Sequence, residues 1–139
     1  MFRHFYLAAF WTLLTVILLC VPGNDLPKVR TISIPQFDKF VHIVLFGAFQ
    51  LFWTIPFALK QQLPRFRKTN LLFLTLSVLL GVLMEFVQRD FVPLRSFDVM
   101  DIISDSIGAF VGFLISGRIG VKRAKNKKAP VETGALNQN

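Results

Sequence analysis

The chain has one cysteine, Cys20, which excludes an intrachain disulfide and places a lone thiol inside an apolar run, where inert packing is expected. Acidic residues are scarce, 8 of 139, and charged residues make up only 17%, too few for a soluble domain of this size. Internal repeats are absent. No HExxH-like or cysteine-containing spacing suggests a metal site, and neither Ser96 nor Ser104 sits in a glycine elbow. The basic residues, which give a net charge of +8, do not form a face interleaved with stacking aromatics, so no nucleic-acid partner is expected. What is present is apolar: 53% hydrophobic residues, 16 phenylalanines and a mean hydropathy of +0.54. The class is a membrane protein, with lipids as its first partners.

Four apolar runs predict an all-α, polytopic bundle of four transmembrane helices: Phe5–Val21, Phe40–Leu59, Leu71–Val87 and Ile102–Gly117. A span needs ~20 mainly apolar residues, with a lower limit of ~17. The first run has the short basic head of a signal peptide, Arg3-His4. The residues after it, Pro22-Gly23-Asn24-Asp25, contain no small-x-small cleavage site, so an uncleaved anchor is expected. Residues 1–120 form one domain, and the Lys-rich tail 121–139 is expected to be a disordered cytoplasmic extension. Orientation follows from Lys and Arg in the flanks. Eleven lie on the side of the termini and the middle loop, five on the side of the first and third loops. This predicts both termini in the cytoplasm of a bacterial inner membrane.

Three polar stretches stand at the edges of these runs, and with this topology all three reach the outer leaflet. In helix 2, Asp38 and His42 are four residues apart and share a face, with Lys39 beside them. The plainer roles are an N-cap for Asp38 and snorkelling for Lys39. Helix 3 carries Gly81, Glu85 and Gln88 on one face. Helix 4 carries Asp98 and Asp101, then Asp105, Gly108 and Gly112 continuing the face of Asp101. Gly81, Gly108 and Gly112 mark close helix packing, which would turn the carboxylates into the bundle. Asp98 or Asp101 would also complement the dipole of helix 4. Arg95, in the third loop, has Glu85 and Asp90 before it and Asp98 and Asp101 after it. It reads equally as a lock onto helix 3 or 4 and as a cation offered to an anionic headgroup. His42 with two carboxylates could hold a metal ion, but for want of a supporting motif no metal or cofactor is expected.

The ordered set Asp38-Lys39-x-x-His42, Glu85-x-x-Gln88, Pro93-x-Arg95-Ser96-Phe97 and Asp101-x-x-x-Asp105-x-x-Gly108 resembles the VanZ-like family of small bacterial integral membrane proteins, over residues 35 to 117. The family usually has asparagine where this chain has Asp105. Its founding member belongs to a glycopeptide-resistance gene cluster linked to teicoplanin resistance. The resemblance therefore implies a role in the bacterial cell envelope, with antibiotic resistance one form of it, and supplies no reaction.

The leading expectation is a binding protein. Asp38, Lys39, His42, Glu85, Gln88, Arg95, Asp98, Asp101 and Asp105 would line an outer-leaflet pocket for an amphipathic substrate: a lipid headgroup, a lipid-linked wall precursor or a lipophilic glycopeptide. The alternative is a non-catalytic helper subunit of an envelope complex, whose charges only hold the bundle together. A third reading is a headgroup hydrolase or transferase with His42 and a carboxylate as acid and base. No catalytic set is singled out, and the sequence does not define an oligomeric state.

Overall fold

The computed structural model describes residues 3–22 and 37–135, with side chains described for 5–22 and 37–127. The described residues form four helices and no strand: α1 (Arg3–Leu19), α2 (Phe37–Lys60), α3 (Leu63–Phe91) and α4 (Val99–Ala135). Three of them, α2, α3 and α4, are long and apolar enough to cross a membrane, while the apolar stretch of α1, Phe5–Leu19, is shorter.

Local chemistry sets the helix ends. Gln62 is extended (φ −68°, ψ 149°) before α3, and Pro64 occupies the first turn, where a missing N–H goes unnoticed. Val92 is extended after α3, as expected before Pro93. Asp98 caps α4 by accepting the Met100 N–H at 2.8 Å. The helices outrun the apolar spans because hydropathy marks where lipid is crossed, not where backbone hydrogen bonding stops. Thus α3 begins before Leu71, and α4 continues past Gly117 through Ala135, over a stretch rich in the helix formers Lys, Arg and Ala. Helix α4 thus enters the segment 121–139, expected without structure, and runs as far as Ala135. Lys28, Arg30 and the stretch Gly23-Asn24-Asp25 lie outside the described residues.

The bundle inverts the amphipathicity of a soluble protein. On α3, Leu72, Leu76, Leu79 and Leu83 form an exposed stripe, whereas Asn70, Ser77, Gly81, Glu85 and Gln88 are buried. On α4, Ile103, Ile107, Phe110 and Leu114 face outward, and Asp101, Asp105 and Ser116 face inward. In a bilayer the leucine and isoleucine faces meet lipid, and the polar faces find partners on neighbouring helices.

The most extensive packing is between α2 and α4. Their contacts rise in step along both chains, Lys39 with Asp101, Ile43 with Gly108 and Gly47 with Gly112, so the two helices run parallel. α3 runs against them, with Asn70 at Ser116, Gly81 at Asp105 and Glu85 at Asp98. A Cβ at Gly108 would collide with the Ile43 carbonyl, and one at Gly112 would stand 2.6 Å from the Gly47 oxygen. These glycines let the two backbones touch.

A neutral polar layer, not anticipated from sequence, joins the three spans. Gln50 Nε2 donates to the Asn70 side-chain oxygen (3.1 Å) and backbone carbonyl (3.2 Å), and Ser77 Oγ donates to Gln50 Oε1 at 3.0 Å. Asn70 Nδ2 donates to the Phe113 carbonyl at 3.1 Å, and Ser116 Oγ donates to Asn70 Oδ1 at 2.8 Å. α1 is tied on by Trp11 Nε1 to the Leu45 carbonyl and by Trp53 Nε1 to Thr12 Oγ1, each at 3.0 Å.

Two outcomes are expected. Gly108→Ala and Gly112→Ala lower the thermal unfolding midpoint of the detergent-solubilised protein, while Gly117→Ala, which would meet only the Asn70 amide at 3.7 Å, leaves it unchanged. Asn70→Ala removes one corner of the three-helix network and costs ~1–2 kcal/mol, the upper range for hydrogen bonds between membrane helices, read by graded SDS unfolding.

Candidate functional site

The start of α2, the end of α3, the third loop and the start of α4 converge at one end of the bundle. Lys39 is the hub. Its Nζ donates to Asp98 Oδ2 and to Asp101 Oδ1, both at 2.7 Å. A lysine in the first turn of a helix opposes the dipole, and two carboxylates from α4 and its cap compensate. Asp98 thus serves twice, capping α4 through Oδ1 and pairing with Lys39 through Oδ2. The Lys39 ammonium holds the Asp98 carboxyl below its ordinary range, helped by the Met100 N–H. A lowered carboxyl pKa stabilises the fold above the ordinary aspartate value, and that contribution fades as pH falls through the lowered one.

One turn deeper, His42 is buried between two aspartates of α4. Its Nδ1 donates to Asp105 Oδ1 at 2.9 Å, and its Nε2 stands 3.8 Å from Asp101 Oδ2, too far for a hydrogen bond. Asp105 Oδ2 packs on the face of Gly81 in α3, where a Cβ would meet it at 2.8 Å. Glu85, one turn on, accepts the Asp98 backbone N–H through Oε2 at 2.8 Å and so ties the end of α3 to the start of α4. Its Oε1, and Oδ2 of Asp105, are buried without a hydrogen-bond partner among the described residues.

Arg95 does not lock onto helix 3 or 4. Leu94 before it takes the left-handed conformation (φ 61°), which costs a non-glycine residue ~1–2 kcal/mol, and the chain turns back over α2. The Arg95 Nη1 then lies 3.5 Å from Asp38 Oδ2. Asp38 is inside the first turn of α2, which begins at Phe37, so it is not the N-cap. Asp90 pairs with its neighbour Arg89 on the exposed surface, outside the cluster. Gln88 is also engaged elsewhere: its Nε2 donates to the Leu19 carbonyl at 2.9 Å and closes the C-terminus of α1.

The result is a layered site. Asp38, Lys39, Arg95 and Asp98 form a partly exposed rim, with side-chain exposures of 44, 21, 12 and 43%. His42, Glu85, Asp101 and Asp105 form a buried floor. Asp38, His42 and Asp101 each offer a ligand atom within 4.8 Å of the others, which identifies the two carboxylates, one from each of two helices, that the sequence left open beside His42. A groove of about 730 Å3 at the opposite end, between α3 and α4, is lined by apolar residues with Arg67, Arg118, Lys122 and Lys125, and has no carboxylate or histidine in its wall.

The family model VanZ/LLP1 matches residues 3–119, which adds α1 to the stretch over which the resemblance was legible. Neither a curated protein nor a solved structure shows a significant match to the chain. The match covers every residue of the charged cluster, the described residues form helices of which three are long and apolar enough to cross a membrane, and the chain belongs to the VanZ/LLP1 family of membrane proteins.

Proposed function

We propose that this protein binds the headgroup of an amphipathic molecule at the outer leaflet of the bacterial inner membrane, with both termini in the cytoplasm. The observation that carries this reading is the rim of Asp38, Lys39, Arg95 and Asp98, set above a buried polar floor at the end of three lipid-facing helices. Such a rim lies at headgroup depth, where a ligand's tail can follow the exposed apolar faces while its polar end meets Lys39 and Arg95. Arg95 is the stronger anchor for a phosphate or carboxylate, because its planar fork binds such groups bidentately. Candidate ligands are a phospholipid, a lipid-linked wall precursor or a lipophilic glycopeptide: two envelope components and one agent that acts on the envelope.

A second reading is favoured by the Lys39 contacts themselves. An ammonium held between two carboxylates at 2.7 Å also serves as a staple between α2 and α4, the role of a structural helper in an envelope complex. The two readings separate on one variant. In nanodiscs, Arg95→Ala is expected to weaken retention of an anionic amphiphile such as undecaprenyl phosphate at least tenfold with little change in the unfolding midpoint. A lowered midpoint with retention intact assigns the cluster to bundle stability alone.

Orientation has its own check. In a Cys20→Ser background, Leu94→Cys in the third loop is expected to react with a membrane-impermeant maleimide added to intact spheroplasts, and Gln62→Cys in the middle loop only after lysis. The reverse pattern overturns the outer-leaflet placement.

A further inference from the structure

The charged cluster is out of balance. Asp38, Glu85, Asp98, Asp101 and Asp105 supply five carboxylates against the two permanent cations Lys39 and Arg95. Three of these acids, Glu85, Asp101 and Asp105, are at most 4% exposed, and two of the buried oxygens, Glu85 Oε1 and Asp105 Oδ2, have no hydrogen-bond partner among the described residues. Buried carboxylates in such excess demand a further cation or protons. Lys39 and Arg95 can meet an anionic headgroup at the rim, and a further cation beside them would balance the acids beneath.

The donor geometry supplies an answer. Asp38 and His42 stand four apart on α2, on one helix face, as two ligands of a helical metal site do. The Nδ1–H of His42 is held by Asp105 Oδ1 at 2.9 Å, which leaves the Nε2 lone pair turned toward Asp101 Oδ2 at 3.8 Å. A carboxylate behind a histidine is the usual outer-shell arrangement at metals, fixing the tautomer and the ring. Lys39 occupies the other oxygen of Asp101, Oδ1, and leaves Oδ2 for a ligand bond. Ligand atoms ~2.1 Å from a common ion stand about 3.4 Å apart in a tetrahedral site, so three atoms within 4.8 Å of one another must draw together by up to slightly more than an ångström, a change that rotation of the Asp38 and Asp101 side chains supplies.

We propose that Asp38, His42 and Asp101 bind one divalent transition-metal ion, of the zinc or manganese class, and that this ion receives the anionic group of the ligand. One imidazole and two carboxylates suit these ions better than magnesium or calcium, which prefer oxygen donors throughout. Three protein ligands leave coordination positions open toward the rim. The second half of the proposal rests on the headgroup-binding function proposed above; the metal site itself stands on its own geometry.

The test uses the full chain with a histidine-free affinity tag, in phosphatidylcholine nanodiscs, stripped with chelator and titrated with Zn2+ and with Co2+ as a spectroscopic probe. One equivalent per chain is expected, with Co2+ visible bands of a nitrogen–oxygen site. Asp38→Asn, at a position half exposed and tolerant of change, and His42→Gln weaken binding at least tenfold. Asp105→Ala weakens it ~10–100-fold through loss of the outer-shell partner, and Asp105→Asn, which keeps an acceptor for Nδ1–H, restores most of it. Unfolding midpoints taken alongside identify any variant that has failed to fold, and Asp38→Asn then decides. Absence of stoichiometric metal, or equal binding by folded Asp38→Asn, overturns the site. Undecaprenyl phosphate retention that survives chelation unchanged overturns the metal's role in binding while leaving the headgroup function standing. Stoichiometric metal with no amphiphile retained in either state supports the site and overturns that function instead.

Discussion

The parallel contact of α2 with α4 is the constraint on which the rest of the molecule depends. It exists because Gly108 and Gly112 offer no side chain to hold the backbones apart, so the Ile43 and Gly47 carbonyls lie directly against them. Backbone contact at those points sets the register, and the register sets every charged pairing above it. Lys39 meets Asp98 and Asp101, and His42 meets Asp105, because each sits a fixed rise along helices pinned one and two turns below. Widening the contact by the width of a methyl group would part these groups by more than hydrogen-bond reach.

Two polar layers divide the work within this frame. The neutral layer of Gln50, Asn70, Ser77 and Ser116 runs from the middle of α2 toward the far end of the bundle, and its amide and hydroxyl groups satisfy one another across three helices. It can hold the bundle without burying a charge. The charged layer lies at the end, where carboxylates and cations cost less to place, and only its floor is fully buried. Glu85 links the layer to the third loop through the Asp98 N–H, and the left-handed Leu94 returns Arg95 to α2. Loop and helices thus close a single site.

Much of this was legible in the sequence. Four helices followed from hydropathy, three of them long and apolar enough to cross a membrane as expected and α1 shorter than a full span; the inward faces of α3 and α4 followed from glycines and acids at helical spacing, and the meeting of three polar edges from simple alternation of direction. Other parts were not. The partner of Arg95 proved to be Asp38, distant in sequence, because a positive φ at Leu94 redirects the chain, and nothing in the identity of a leucine announces that conformation. Gln88 lies on the same face as Glu85 yet serves the end of α1, whose position depends on packing against α2. Gln50 and Asn70 stood in or beside apolar runs as isolated polar residues, visible as exceptions but without a sign that they were each other's exception.

By itself, then, the sequence determined that this is a helical membrane protein, where its spans lie, and which faces turn inward. Hydropathy and helical period are local properties, readable within one segment. Only the tertiary structure decided which acid meets which base, that Asp38, His42 and Asp101 share a point in space, and that the cluster divides into rim and floor. Those facts depend on the axial register and rotation of one helix against another. Both are set by backbone contacts between glycines and carbonyls some sixty residues apart, which no single segment's pattern contains.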